Sequence, residues 1–220
     1  MNDELKKRIF TSALLISLLI AMYFYSFIMI VALVIIAMIV WIEFYALISK
    51  ILPKNYIKDR FLRFLFKAMS LLYLSLLVYF IFGIESYYSN LKQYLLYSVL
   101  VAILSDIGGL VFGKIFKGKK LTKISPNKTY SGSIGSFIFS LLLIPFFYNE
   151  LIVYSYLMLI IITLFISLTS QLGDLFISSL KRKAKVKDTS DLLPGHGGFL
   201  DRVDGIIFAI PIGILLFTIF

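Results

Sequence analysis

The sequence predicts an all-α, polytopic integral membrane protein with about seven transmembrane helices, within a range of seven to nine, and a cytoplasmic N-terminus. Three observations carry that prediction. Of the 220 residues, 60% are hydrophobic and only 15% charged, against about 45–50% and about 25% in soluble domains, so the chain lacks the polar surface to cover a core in water. The apolar residues gather into runs able to cross a hydrocarbon layer of about 30 Å, which takes roughly 20 residues of helix. The basic residues, which give a formal net charge of +10, fall mainly between those runs.

From Ile9 to Ser49 the only charged side chain is Glu43. A stretch of that length holds two helices, dividing near Tyr23–Ser26 into about 9–24 and 27–48. Lys6-Lys7-Arg8 followed by an apolar run also resembles the start of a signal peptide. The residues beyond Ile20 stay bulky (Met22, Tyr23, Phe24, Tyr25) and offer no small-residue cleavage site, so a retained first helix is expected. Further spans are expected at about 68–86, 93–113, 133–148, 151–173 and 204–220. The fifth and seventh runs are short, which calls for local thinning of the bilayer or helix ends covered by protein.

Charge placement tests this count independently. Basic residues cluster before the first span (Lys6, Lys7, Arg8) and in the second connection (Lys50, Lys54, Lys58, Arg60, Arg63, Lys67). They cluster again in the fourth connection (Lys114, Lys117, Lys119, Lys120, Lys123, Lys128) and the sixth (Lys181, Arg182, Lys183, Lys185, Lys187, Arg202). With seven spans, all 22 except Lys92 fall on one side. Positive residues in short loops mark the cytoplasmic side, so the N-terminus is expected inside and Phe220 outside, in the cytoplasmic (inner) membrane. There is no cysteine, which excludes disulfides, thiol redox chemistry and Cys-ligated metal. Without an internal repeat or low-complexity linker, residues 1–220 read as a single transmembrane domain.

The acids point to the chemistry, because charge in or beside a membrane helix is costly and tends to be functional. Glu43, in Trp41-Ile42-Glu43-Phe44, reads as an interfacial anchor accepting from Trp41 or pairing with a lysine. Asp106 precedes Gly108-Gly109 and reads either as the cap of a broken helix or as a functional group. Asp174 lies near the inner end of the sixth span, and Asp201 and Asp204, three apart, share a helical face at the start of the seventh. These three acids are expected to converge at the cytoplasmic boundary among basic residues. A divalent cation such as Mg²⁺, which commonly takes one or two carboxylates plus substrate phosphates, would satisfy them; a lattice of Asp–Lys and Asp–Arg salt bridges would do so equally well.

Two loops add phosphate-binding chemistry. Leu193-Pro194-Gly195-His196-Gly197-Gly198-Phe199 holds the sole histidine among glycines; such turns can direct N–H groups at phosphate, and His196 beside an Asp pair suits a phosphate contact or a proton role. In the fourth connection, Ser125-Pro126 and Lys128-Thr129 combine a turn, two hydroxyls and an ammonium, components of a polyphosphate site. Lys117, Lys119 and Lys120 are accounted for by the positive-inside bias or by anionic lipid.

From Ser178 to Asp204 the chain resembles the signature of the phosphatidate cytidylyltransferases (CDP-diacylglycerol synthases). The resemblance runs through Ser178, Leu180-Lys181-Arg182, Lys187-Asp188, Ser190, Leu193-Pro194, His196-Gly197-Gly198-Phe199 and Asp201-Arg202-Val203-Asp204. The segment around Asp106, Phe112-Gly113-Lys114 and Ile124-Ser125-Pro126-Asn127-Lys128-Thr129 are also similar to the family, so the likeness covers the chain from about residue 100 onward; residues 1–90 share only its general character. The sequence departs from the family at Asn127, often Lys, and at Ser131, often an acid.

The resemblance implies transfer of a cytidylyl group from CTP to phosphatidate in phospholipid biosynthesis, with an active site facing the cytoplasm and Mg²⁺ plus a possible second cation. It implies Asp174 and Asp201 as metal ligands, with Asp106 a weaker candidate, and a catalytic set of Asp174, Asp201, Asp204 and His196. Substrate contacts would come from Lys114, Ser125, Lys128, Thr129, Lys181, Arg182, Gly197, Gly198 and Arg202. About 91–220 would then hold the catalytic helices. CTP, phosphatidate and membrane lipid are the implied partners, with a homodimer implied by the family and no nucleic acid. The nearest alternatives are a CTP-dependent polyprenol or phytol kinase and a cytidylyltransferase for another lipid. A CDP-alcohol phosphotransferase needs Asp-Gly-x-x-Ala-Arg, which Asp204-Gly205-Ile206-Ile207-Phe208-Ala209 does not supply. A secondary transporter would show repeats and midplane acids, and neither is expected here.

Overall fold

In lipid a spanning backbone must satisfy its own hydrogen bonds, so helices are the solution open to these apolar runs. A computed structural model describes residues 3–53, 56–87, 91–122, 125, 128–151 and 154–220. Its elements are α1 (Asp3–Phe24), α2 (Ser26–Ile51), α3 (Ile57–Tyr87), α4 (Lys92–Phe116), α5 (Tyr130–Leu141), α6 (Ile144–Phe147), α7 (Tyr156–Lys183), α8 (Leu200–Val203) and α9 (Ile206–Ile219). Among the described residues there is no strand, only the isolated bridges Lys120–Thr129 and Leu193–Gly197. Seven helices are long and apolar enough to cross a membrane, with α5–α6 and α8–α9 each counting as one. The chain is an all-helical integral membrane protein.

The first two spans part at Tyr25, which is extended (φ −122°, ψ 103°), inside the expected interval. Two helices outrun their apolar cores. α3 begins at Ile57 and runs for 31 residues; α7 runs for 28 and ends at Lys183. At about 1.5 Å per residue each exceeds a 30 Å core. Their charged ends, Lys58 to Lys67 and Lys181 to Lys183, continue the helix where hydropathy alone suggests a loop. α4 passes unbroken through Gly108-Gly109, which corrects the reading of Asp106 as the cap of a broken helix. Those glycines instead admit α5 closely: a Cβ on Gly108 would overlap the carbonyl oxygen of Gly135, and one on Gly132 would lie 2.8 Å from that of Gly109.

The chain divides into two compact units, residues 1–89 with 180–203, and residues 90–179 with 204–220. In the first unit α2 packs on α1, α3 and α8. α2 and α3 run antiparallel, with Ser26 bonded to Glu85 and Arg63 donating to Ser49 Oγ at 2.7 Å. In the second unit α4 packs on α5 and α9 around Tyr97, Val101, Leu159, Ile162, Ile166 and Phe217. Hydroxyls stitch α7 into this unit: Tyr97 Oη lies 2.6 Å from Thr163 Oγ1, Ser105 Oγ lies 3.0 Å from Ser167 Oγ, and Ser133 Oγ donates to Gln171 Oε1 at 2.6 Å.

Candidate functional site

In the first unit the loop 189–200 closes on Glu43, a carboxylate only 5% exposed. Oε1 accepts from Ser190 Oγ at 2.5 Å and Phe199 N–H at 3.0 Å; Oε2 accepts from Thr189 Oγ1 and Leu200 N–H, both at 2.8 Å. Four neutral donors replace the water that burial strips from the anion. The expectation of an interfacial anchor is therefore corrected. Trp41 Nε1 donates instead to the carbonyl of Lys67 at 3.2 Å, since residues two apart on a helix do not face one another.

Asp201, in α8, lies beside this anchor with its side chain 5% exposed. Its Oδ1 accepts from Lys181 Nζ at 2.6 Å. Its Oδ2 accepts from Thr189 N–H at 2.8 Å and Gly198 N–H at 3.0 Å, with Thr189 Oγ1 also at 3.0 Å. The glycines make this convergence possible. Gly197 sits at φ +80°, a conformation side chains disfavour, and a Cβ on Gly198 would overlap Thr189 Oγ1 and lie 2.6 Å from Glu43 Oε2. The N–H of Gly198 is thus directed at Asp201, while the Gly197 carbonyl accepts from Leu193 N–H at 2.8 Å.

The same loop is tied to α1. Thr11 Oγ1 donates to the Pro194 carbonyl at 3.0 Å, and Ser12 Oγ lies 3.3 Å from His196 Nε2. Arg202 donates to the His196 carbonyl through Nε at 3.1 Å and Nη2 at 2.7 Å. His196 Nδ1 is buried without a hydrogen-bond partner among the described residues. Arg182 is exposed at the end of α7.

In the second unit Asp174 on α7 pairs with the Lys128 ammonium and accepts from Ser178 Oγ at 3.2 Å. Backbone bonds hold Lys128 in its loop: its carbonyl accepts from Leu121 N–H at 2.7 Å and its N–H donates to the Ser125 carbonyl at 3.1 Å. Ser125 N–H donates to Thr122 Oγ1 at 3.2 Å. Thr129 caps α5, its Oγ1 accepting from Gly132 N–H at 3.0 Å. Lys114 is exposed in the last turn of α4, and Asp106 is exposed midway along it. The helical ladder breaks at Asp204–Gly205, between α8 and α9. Asp204 is 5% exposed, and its Oδ1 accepts from Gly205 N–H at 2.9 Å. Gly173 of α7 packs on it so closely that a Cβ there would lie 2.8 Å from the Asp204 carbonyl oxygen. Ile124, Pro126 and Asn127 of the expected phosphate loop lie outside the described residues, as do Lys54 and Lys123.

The donor chemistry fits a hard divalent ion. Asp174 and Asp201 offer carboxylate oxygens whose charged partner is a lysine ammonium, a flexible cation that an ion or a phosphate can exchange with. Among the described residues no group of three or more acids or histidines forms a metal cage, and Mg²⁺ usually needs none, completing its shell with water and phosphate oxygens. Sequence reasoning passed over Thr189, although Lys187-Asp188 and Ser190 flank it within the signature, and it undervalued Glu43. The signal for Glu43 was its isolation as the one charge in a long apolar run.

The family model described as "Cytidylyltransferase family" matches residues 2–220. A phosphatidate cytidylyltransferase of Bacillus subtilis is 36% identical over 159 residues, 70% of this chain and 58% of its own length. One of Staphylococcus aureus is 38% identical over 173 residues, 77% of this chain and 64% of its own. One of Staphylococcus haemolyticus is 42% identical over 123 residues, 54% and 47% of the two chains. The matched stretch therefore spans between about half and two thirds of these relatives.

Proposed function

The chain belongs to the cytidylyltransferase family, and from that premise we propose that it transfers the cytidylyl group of CTP to phosphatidate, forming CDP-diacylglycerol and pyrophosphate. The observation that carries this reading is the lattice around Asp201. Lys181, Ser190, Gly198 and Phe199, all positions of the family resemblance, are among the groups that bond it or its anchor Glu43. The relatives in Bacillus subtilis and Staphylococcus aureus, named phosphatidate cytidylyltransferases, support the choice of acceptor.

In this reaction a phosphate oxygen of the lipid attacks the α-phosphorus of CTP. The new P–O bond forms as the α–β phosphoanhydride breaks, and the bonding electrons leave on pyrophosphate. Phosphatidate is already an anion near neutral pH, so no residue has to remove a proton from it. The protein's task is to position two polyanions and offset their charge. Lys181 and Arg202 in one unit, and Lys128 and Lys114 in the other, provide cationic contacts for phosphate oxygens; Arg182 extends the first set. Lys181 is bonded to Asp201 and Lys128 to Asp174, so both ammoniums are held ready rather than left to sample solvent.

Asp174 and Asp201 are the carboxylates we assign to Mg²⁺, with Asp106 and Asp204 as lesser candidates. Mg²⁺, when bound, neutralises charge developing on the phosphates. The basic segments support a cytoplasmic site in the inner membrane, where CTP is available and the lipid can enter sideways.

The test is CDP-diacylglycerol formation by the purified protein in lipid nanodiscs, given CTP, phosphatidate and MgCl₂. The expected result is a CDP-lipid together with pyrophosphate. Phosphorylation of a prenol acceptor, with no CDP-lipid formed, would overturn the proposal.

A further inference from the structure

The reaction gives Asp201 a role but leaves Glu43 and Thr189 unassigned. We infer that Glu43 and Thr189 are positioning residues: Glu43 anchors the loop and the Thr189 hydroxyl, and Thr189 fixes Oδ2 of Asp201 so that Oδ1 alone is offered to a cation. The inference rests on the cytidylyltransferase reading for the role of Asp201.

The bonding arithmetic supports this. A threonine hydroxyl has one proton and accepts through two lone pairs. Thr189 Oγ1 lies 2.8 Å from Glu43 Oε2 and 3.0 Å from Asp201 Oδ2, so it touches both carboxylates and can donate to only one at a time. Each oxygen keeps backbone partners in either case: Leu200 N–H on Glu43 Oε2, and the N–H groups of Thr189 and Gly198 on Asp201 Oδ2. The hydroxyl can therefore turn from one carboxylate to the other without leaving a buried acceptor bare.

That freedom matters when the charge on Asp201 changes. While Lys181 alone faces Oδ1, Oδ2 is a strong acceptor for the proton. With its proton on Oδ2 the hydroxyl joins the N–H groups of Thr189 and Gly198 in holding that oxygen, and Oδ1 is the one that would face a cation in place of Lys181. Asp201 then keeps one orientation through the exchange, because Glu43 holds Thr189, Ser190, Phe199 and Leu200 in place. Partners of this kind around a metal ligand typically change affinity or activity by 10–100-fold when removed.

Two substitutions at one site separate a hydroxyl role from simple packing. Thr189→Val keeps the shape and the backbone N–H but loses the hydroxyl; Thr189→Ser keeps the hydroxyl and loses the methyl. The full chain in nanodiscs is titrated with Mn²⁺ as a spin probe, followed by electron paramagnetic resonance, and CDP-diacylglycerol formation is measured in parallel. Thr189→Val is expected to weaken Mn²⁺ binding about 10–100-fold, with Thr189→Ser within about 3-fold of wild type. Wild-type affinity in Thr189→Val would overturn the inference. So would an equal loss in Thr189→Ser, which would mark a packing role, or a wild-type protein that holds no Mn²⁺. A wild type that binds Mn²⁺ without forming CDP-diacylglycerol would sink the proposed reaction, and the contrast between the two variants would still decide the positioning role.

Discussion

Asp201 and Asp174 are both carboxylates paired with lysine, yet the two units hold them in different ways. Asp201 is 5% exposed beside a Lys181 that is 12% exposed, and backbone N–H groups from two points of a tight loop grip one of its oxygens. Asp174 is 24% exposed, Lys128 is 26% exposed, and the further bond to Asp174 is a hydroxyl one helical turn away on the same α7. Asp201 is preorganised: its orientation is settled before any ligand arrives, which is how a site avoids reorganisation during reaction. Asp174 is adaptable, free to change partner at little cost.

Replacing the two acids in turn tests that contrast most severely. In Asp201→Asn the donors on Oδ2 force the amide oxygen onto that side and turn its NH₂ toward Lys181, so the oxygen proposed to hold the cation is lost and a repulsion gained. Turnover is expected to fall about 100- to 1000-fold, with the protein still inserted and no rescue by added Mg²⁺. Asp174→Asn should fall less and recover partly as Mg²⁺ is raised. The check is CDP-diacylglycerol formation across a Mg²⁺ series; identical losses with identical Mg²⁺ dependence would erase the distinction.

The lysines give the next effect, in stability. Removing the cation from a buried pair leaves a charge without its partner, and Lys181→Met is expected to cost about 3 kcal/mol. Lys128→Met breaks a quarter-exposed pair that solvent screens, and should cost about 1 kcal/mol or less. Thermal unfolding in detergent, read by circular dichroism, compares them directly. A larger loss in Lys128→Met would mean that Asp174 is the more rigidly held acid.

The spans were legible because lipid leaves so few options: a long apolar run has to become a helix. Helix ends were less so. Arg60, Arg63 and Lys67 in α3, and Lys181 in α7, look like loop residues because charge hides the fact that the backbone keeps its ladder past the hydrocarbon. The acids on α7 and α8 were visible as chemistry, and their lysine partners were among the expected binding residues. The anchor was not legible. Glu43 meets Leu200 across 157 positions of sequence, and no local periodicity links a residue in the C-terminal third of α2 to a loop that far away. Asp106 illustrates the complementary difficulty: the glycines after it signalled a helix break, whereas their use is the close approach of α5.

The smallest effect separates two duties at Thr129. Its Oγ1 accepts from Gly132 N–H as the N-cap of α5, while the hydroxyl proton can serve Ser131 Oγ, 3.0 Å away, or a phosphate. Thr129→Ala removes both and is expected to cost about 1 kcal/mol of stability, but that result cannot tell a cap from a contact. Thr129→Asp can. Aspartate caps as well as threonine, so stability should return to the wild-type level, whereas its negative charge would repel a bound polyphosphate and raise the KM for CTP several-fold. An unchanged KM in Thr129→Asp would remove Thr129 from the substrate-binding set and leave Ser125 and Lys128 as the contacts offered by this loop. A raised KM would make the loop a second adaptable element beside Asp174, set against the fixed lattice around Asp201.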